Sequence, residues 1–232
     1  MSELTRVVGL VATSATVGAL AGFLLGTRVN VGSRLRLPLR RVGSNLLQNP
    51  SFEEHGETGR EHCTPLDGGA TNINKWPVVG TPRTQTIAYC FEEHTGFEAA
   101  EGRWFIDLTN NGSSKGPYGG VEQEVSLIPG ADYELTLQVG GMLGRSGPQV
   151  KVLVDIVPGP SNPFTVQMTS DGFKTWVPCK VEFVAPMTLS PGTLSKVLIH
   201  APGPQMNSQG QPSKLIAIDD VQLYRLSPFL RA

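Results

Sequence analysis

The stretch "NLLQNPSFEE", residues 45–54, decides how this chain is read. It follows an arginine-rich run and sets Leu46 and Leu47 before a polar break at Gln48-Asn49-Pro50, then Phe52 before Glu53 and Glu54. It is either a linker or the opening strand of a folded module. The residues downstream favour the module, because alternation dominates from Asn45 onward. Tyr133, Leu135, Leu137 and Val139 fall on one side of a strand, and Asp132, Glu134, Thr136 and Gln138 on the other. Val150, Val152, Val154 and Ile156 alternate with Lys151 and Asp155, and Val121, Gln123, Val125 and Leu127 with Glu122 and Glu124. A period of two with one wet face specifies antiparallel sheet. Further strands are expected at 45–48, 74–79, 84–91, 102–108, 164–168, 174–184, 194–200 and 214–225. The 27 glycines and 18 prolines are spread between them, as in "IPG" at 128–130 and "VPGPSNP" at 157–163. No amphipathic helix is evident there. The expected fold is all-β, an antiparallel β-sandwich or jelly roll over residues 44–226, with a tail at 227–232.

Composition narrows the function classes. Apolar residues make up 39% and charged residues 17%, enough for a core and too little charge for a disordered chain. Net charge is −1, and no basic patch interleaved with aromatics occurs in residues 44–232, so nucleic acid is excluded as a partner. Cys63, Cys90 and Cys179 allow one internal bridge at most. In an oxidising compartment Cys63 with Cys90 is the expected pair; a reducing one would leave three thiols.

Residues 7–26, "VVGLVATSATVGALAGFLLG", carry no charge over 20 positions, about 30 Å of helix and so the hydrocarbon thickness of a bilayer. Gly18, Gly22 and Gly26 fall four apart, which would give an N-terminal hydrophobic helix a smooth face for packing against other transmembrane helices. Residues 1–27 are therefore expected to be a single-pass span. Two other readings stay open: a secretory signal cleaved after Ala21, and an organellar address. The second draws on the absence of acid from Leu4 to Phe52, alongside Arg6, Arg28, Arg34, Arg36, Arg40 and Arg41. Five of those arginines follow the span, so the positive-inside rule puts the domain on a cytoplasmic or matrix-like side, whereas an extracellular lectin would need the reverse. Residues 28–43 read as an Arg-rich stem. The compartment, cell surface, secretory or organellar (mitochondrial or plastid), stays open.

Several short motifs resemble a known family when taken in order. "NLLQNPSFEE" is similar to the opening strand of galactose-binding-like jelly rolls, and "INKWPVVG" at 73–80 to their next conserved segment. "EGRWFIDLTNNG" at 101–112 and "GGVEQEVSLIPGADYELTLQVG" at 119–140 resemble the segments after that. "WVPCKVEFVAP" at 176–186 and "IAIDDVQLY" at 216–224 resemble the closing strands. Order and spacing resemble the DUF642 and carbohydrate-binding-module branch of the superfamily across nearly all of residues 44–226.

The resemblance implies two candidate sites, each with a plainer reading beside it. Glu53 with Asp219 or Asp220 matches carboxylates that can hold a structural Ca2+ in related modules, where six to eight oxygens are needed; otherwise these carboxylates bind backbone amides at strand ends. A sugar face would combine aromatic rings with carboxylates and amides. Glu122, Glu124, Asp132, Glu134 and Gln138 are expected to share a polar side across a hairpin turning at Pro129-Gly130, with Trp104, Tyr118 and Tyr89 as the nearest aromatics. The plainer reading is an ordinary solvated face, with Trp104 in the core by parity with Ile106 and Leu108. Trp76 and Trp176 look structural. The set His55, His62, Cys63, Cys90 and His94 matches no common zinc spacing. Glu53-Glu54 and Glu92-Glu93 are neighbours on a strand and point to opposite faces, so they do not make a glycosidase pair. No nucleophile elbow, Walker loop or dinucleotide glycine pattern occurs.

The expected function is a non-enzymatic, membrane-tethered module recognising a carbohydrate or glycoprotein. The rival expectation is an accessory subunit of a membrane complex, with the jelly roll as a protein-docking surface.

Overall fold

Alternating apolar side chains bury one face of each strand, and two antiparallel sheets stack on those faces. The computed structural model describes residues 38–56, 63–81, 83–95, 97–109, 119–142, 149–167, 176–190, 192–201 and 215–228. The larger sheet runs β10 (Val177–Val184), β7 (Asp132–Met142), β12 (Leu215–Pro228), β5 (Trp104–Asp107), β4 (Gln85–Phe91), β2 (Cys63–Asp67), with β1 (Leu39–Val42) paired to the far end of β12. The smaller sheet runs β3 (Val78–Val79), β6 (Gly120–Ser126), β11 (Leu194–His200), β8 (Gln149–Val157), β9 (Ser161–Gln167). One helical turn, α1 (Glu92–Thr95), follows β4.

Leu135, Leu137, Val139, Ile218 and Leu223 from the larger sheet meet Val121, Val125, Val152, Val154, Val197 and Ile199 from the smaller. Each such buried aliphatic side chain contributes about 2 kcal/mol. A second, smaller cluster lies on the outer face of the larger sheet, where Phe97 folds over Ala88, Cys90, Phe105, Leu215 and Ala217.

The opening stretch differs from expectation. Residues 45–48 are not a strand; Asn49 (φ 48°) and Phe52 (φ 60°) take left-handed conformations that break any extended run. The segment is instead wired down one bond at a time. Leu46 N donates to Leu223 O and Val221 N to Pro50 O, while the Trp76 indole donates to Asn49 O. Asn49 clamps the turn through both amide atoms, to Glu54 N, Glu54 O and Asn74 O. The stretch belongs to the module, beside its last strand, as a looped strap.

The first strand lies earlier, inside the Arg-rich stem, so the stem assigned to residues 28–43 is in part sandwich. Leu39↔Pro228 through Val42↔Arg225 pair antiparallel. Two adjacent arginines disguise the strand, and charge of this kind suits an edge position. A second expectation also fails. β6 and β7 do not form a hairpin: β6 pairs with β3 and β11, β7 with β10 and β12. The chain at Leu127–Ala131 crosses from one sheet to the other. β2 also forms where no strand was expected, and cross-strand Cys63–Cys90 is a disulfide. Cys179 is buried and free.

Gly18, Gly22, Gly26 and the expected N-terminal helix lie outside the described residues, as does Tyr118. Among the described residues no helix is long and apolar enough to cross a membrane.

Candidate functional site

The sheet crossover at 127–131 splits the predicted sugar face. Glu122 and Glu124 lie on the outer face of the smaller sheet, where Glu122 Oε1 accepts from Lys196 Nζ at 2.6 Å. Glu134 and Gln138 lie on the outer face of the larger sheet, on the opposite side of the molecule. They cannot serve one ligand together. Trp104 belongs to neither group: it packs against the main core and stacks on Tyr89 with ring centroids 4.4 Å apart and planes 11° apart. His55 and Phe91 flank it at 4.5 and 4.7 Å.

What the tertiary structure does assemble is a polar face on β7, β10 and β12. Register places Gln138 beside Pro178 and Asp219, Thr136 beside Lys180 and Gln222, and Glu134 beside Glu182 and Tyr224. The two sides of this face are built differently. On one, Trp176 packs against Gly140, where a Cβ would come within 2.8 Å of the indole and 2.7 Å of Phe97. Only glycine permits that approach. The indole N–H of Trp176 donates to Glu98 O at 2.9 Å, tying it to the loop over the second cluster. On the other side Arg41 stacks on Tyr224, 4.5 Å from the ring centroid, and donates to Glu134 Oε1 at 2.5 Å. Lys180 pairs with the second oxygen of Glu134 and, at 3.0 Å, with Glu182. Burial would raise the Glu134 carboxyl, but the bonds from Lys180 and Arg41 outweigh it and hold the group below the usual carboxylate range. Between these walls Gln138, Thr136 and Gln222 offer amide and hydroxyl groups at partial exposure.

The two carboxylates expected to hold calcium do something else. Glu53 Oε1 accepts from Arg103 N and Trp104 N, each at 2.8 Å. Asp219 Oδ2 accepts from Ala100 N and Glu101 N at 2.8 and 2.9 Å, and its Oδ1 from Asp220 N at 2.7 Å. Asp220 meanwhile accepts from Gln222 Nε2. The acceptor oxygens of Glu53 and Asp219 are turned onto N–H donors, which a cation site would not present, and among the described residues no group of three or more His, Cys, Asp or Glu converges. These residues do not fit a calcium cage. They act as two amide caps that hold residues 100–104. Burial pushes the Asp219 carboxyl up to about 7 despite its three amide bonds. Nearby Tyr89 is raised by its own burial and by the charges of Glu53 and Asp219, and its hydroxyl donates to Phe52 O.

Alternation in the sequence put Glu134, Thr136 and Gln138 on one side of a strand; the register sets Tyr224 and Gln222 beside them, with Trp176 just before β10, none of which the sequence had grouped with them. Trp176 carried a signal, since it sits one residue before β10, whose partner strand holds Gly140.

Comparison with known proteins follows the same outline. Residues 45–222 match a family described as "Protein of unknown function (DUF642)". No curated protein matches the chain. Among solved structures, an apo-form cyclase from Fischerella sp. is 18% identical with a TM-score of 0.53, covering 82% of this chain and 98% of that one. A cyclase from Fischerella sp. TAU is 17% identical with a TM-score of 0.51, covering 84% of this chain and all of that one (100%). TmCBM61 in complex with β-1,4-galactotriose is 17% identical with a TM-score of 0.43, covering 79% of this chain and 99% of that one. These are likenesses of fold.

Proposed function

The chain belongs to the DUF642 family, and from that premise we propose that it is a non-enzymatic, membrane-tethered module that binds a carbohydrate or glycosylated partner on the outer face of its larger sheet. The observation carrying this reading is Trp176 packed against Gly140 beside Gln138, with Thr136 and Gln222 on the adjoining register rows. A half-buried indole beside planar amides supplies what a pyranose needs, an apolar aromatic surface and hydrogen-bond partners for its hydroxyls. The fixed charges at the far wall, Arg41, Lys180 and Glu134, pair with one another and leave the floor neutral, which suits a neutral sugar.

The Cys63–Cys90 disulfide supports an oxidising compartment for this domain. It weighs against the side that the positive-inside rule selects. Protease protection with thiol labelling under non-reducing conditions tests this: a protected domain with only Cys179 reactive after denaturation fits the proposal.

The binding test is a glycan array probed with the full chain in a non-glycosidic detergent, with calcium and with chelator. Trp176→Ala and Gln138→Ala should abolish the signal, while Glu122→Gln, on the other sheet, should leave it intact. A signal lost in Glu122→Gln and retained in Trp176→Ala would put the ligand elsewhere, and a blank array under both conditions would remove the carbohydrate reading.

A further inference from the structure

The described residues include six large apolar side chains that are exposed, and five of them, Ile128, Val157, Val184, Met187 and Leu194, gather at one end of the sandwich. Met187, 78% exposed, lies over Gly130 next to Ile128 in the crossover loop. Pro186 reaches Gly159 just past the end of β8, and Val157 and Leu194 lie on neighbouring strands through the Lys196↔Val157 and Leu194↔Ser126 pairings. Val184 pairs with Asp132 at the start of β7. Scattered surface apolar residues need no explanation, but a concentration of this kind does.

Two further observations indicate what covers it. First, this is the end at which the chain enters the sandwich. β12 pairs Arg225 with Tyr133 near the start of β7, and Leu39 pairs with Pro228, three residues further in the same direction. Only residues 27–37 separate that point from the uncharged stretch 7–26, a reach of at most roughly 40 Å. Second, exposed Arg225 lies near the end of β12, across from Tyr133 at the start of β7, and Arg28, Arg34 and Arg36 fall in the sequence just before the chain enters the sandwich. Apolar side chains at an end that also carries an exposed arginine and follows a basic stretch of sequence match a bilayer surface, with the alkyl groups entering the acyl boundary and guanidinium meeting lipid phosphate.

We propose that the end bearing Ile128, Val157, Val184, Met187 and Leu194 is a lipid-contacting surface, which docks the sandwich on an anionic membrane and leaves the β7–β10–β12 face turned sideways and open. This rests on the membrane-tethered part of the reading above and not on its carbohydrate part.

The test uses the full chain reconstituted in phosphatidylcholine vesicles, with and without phosphatidylserine. An environment-sensitive fluorophore is placed at Met187→Cys or, as control, at Lys151→Cys near the other end of β8; the native cysteines are bonded or buried. Lipids carrying acyl-chain nitroxides should quench the label at 187 several-fold more strongly than at 151, and more so with phosphatidylserine present. Leu194→Asp combined with Val157→Asp should bring quenching at 187 down to the control level while thermal melting in detergent stays cooperative. If the chain floats with vesicles and resists carbonate, yet both labels are quenched equally, the lipid surface is overturned while the tether stands. If the chain does not float, both fall. Self-quenching between labels at 187, with no effect of nitroxide lipid, would assign the surface to a second copy and also overturn the proposal.

Discussion

Asp219 shows how one carboxylate can shape the behaviour of a whole face. It is wholly buried, three backbone amides point at it, and its carboxyl is raised to about 7. The sign of the linkage follows from that rise. Below pH ~4 the group is protonated both folded and unfolded; between there and about 7 the unfolded chain has released its proton and the folded one has not. This residue's contribution is therefore full below the unfolded value and is lost as pH rises through the folded one. Thermal melting from pH 4 to 8 should show that decline in the native chain, and Asp219→Asn should flatten it. Asp219→Ala, which leaves the Ala100 and Glu101 amides without their acceptor, should cost about 1–2 kcal/mol at pH 5. An unchanged pH profile in Asp219→Asn would count against the assignment. The residue itself was legible in the chain, as part of "IDD", but its chemistry was not: whether a carboxylate meets a cation or an amide depends on which loop the fold lays over it.

Strand β1 is the element whose role sequence pattern conceals. Its four residues, LRRV, alternate too briefly to be told from a basic stem, and the reason for their conformation lies 183 positions away (225 − 42) in the unpaired edge of β12. Once paired, Arg41 reaches Glu134, which is buried, and stacks on Tyr224. Arg41→Ala should cost about 2 kcal/mol, measured by denaturant unfolding. A double-mutant cycle with Glu134→Gln should show most of that as coupling. Glu134 also sets the acid limb of stability. Its lowered carboxyl gives stabilisation that is present above the ordinary glutamate range and is lost as pH falls through the folded value, opposite in sign to Asp219. Longer elements were far easier to read. β7, β8 and β11 carry enough alternation to reveal both their conformation and their buried side, whereas the two-residue β3 and the proline-bearing β2 do not.

At the scale of the molecule, the first and last strands pair and a covalent link reinforces one edge. The disulfide between β2 and β4 spans 27 positions. On a chain-entropy argument a loop of that size is worth about 3 kcal/mol. Cys63→Ser with Cys90→Ser should lower the melting temperature by roughly 6–12 °C for a domain of this size, and dithiothreitol should do the same to the native chain. Insensitivity to reductant would mean that the pair is not bonded in solution. Among the described residues three surfaces differ in chemistry: a polar face on the larger sheet whose charges pair with one another, a charged face on the smaller sheet, and an end where exposed apolar side chains gather. Each draws its side chains from strands far apart in the chain.

Alternation and turn residues were enough, from the sequence alone, to establish an antiparallel two-layer β fold and most of its buried side chains, because burial of a strand face is a local pattern with a period of two. Motif order was enough to indicate the family. Which strand pairs with which was decided only by the folded chain. β6 and β7 look like a hairpin in sequence, yet the crossover at Leu127–Ala131 sends Glu122 and Glu134 to opposite sides of the sandwich. The physical reason is that a strand's inward side is written in its own residues, whereas its neighbours are chosen by competition among all the open edges, and a binding face is made of neighbours.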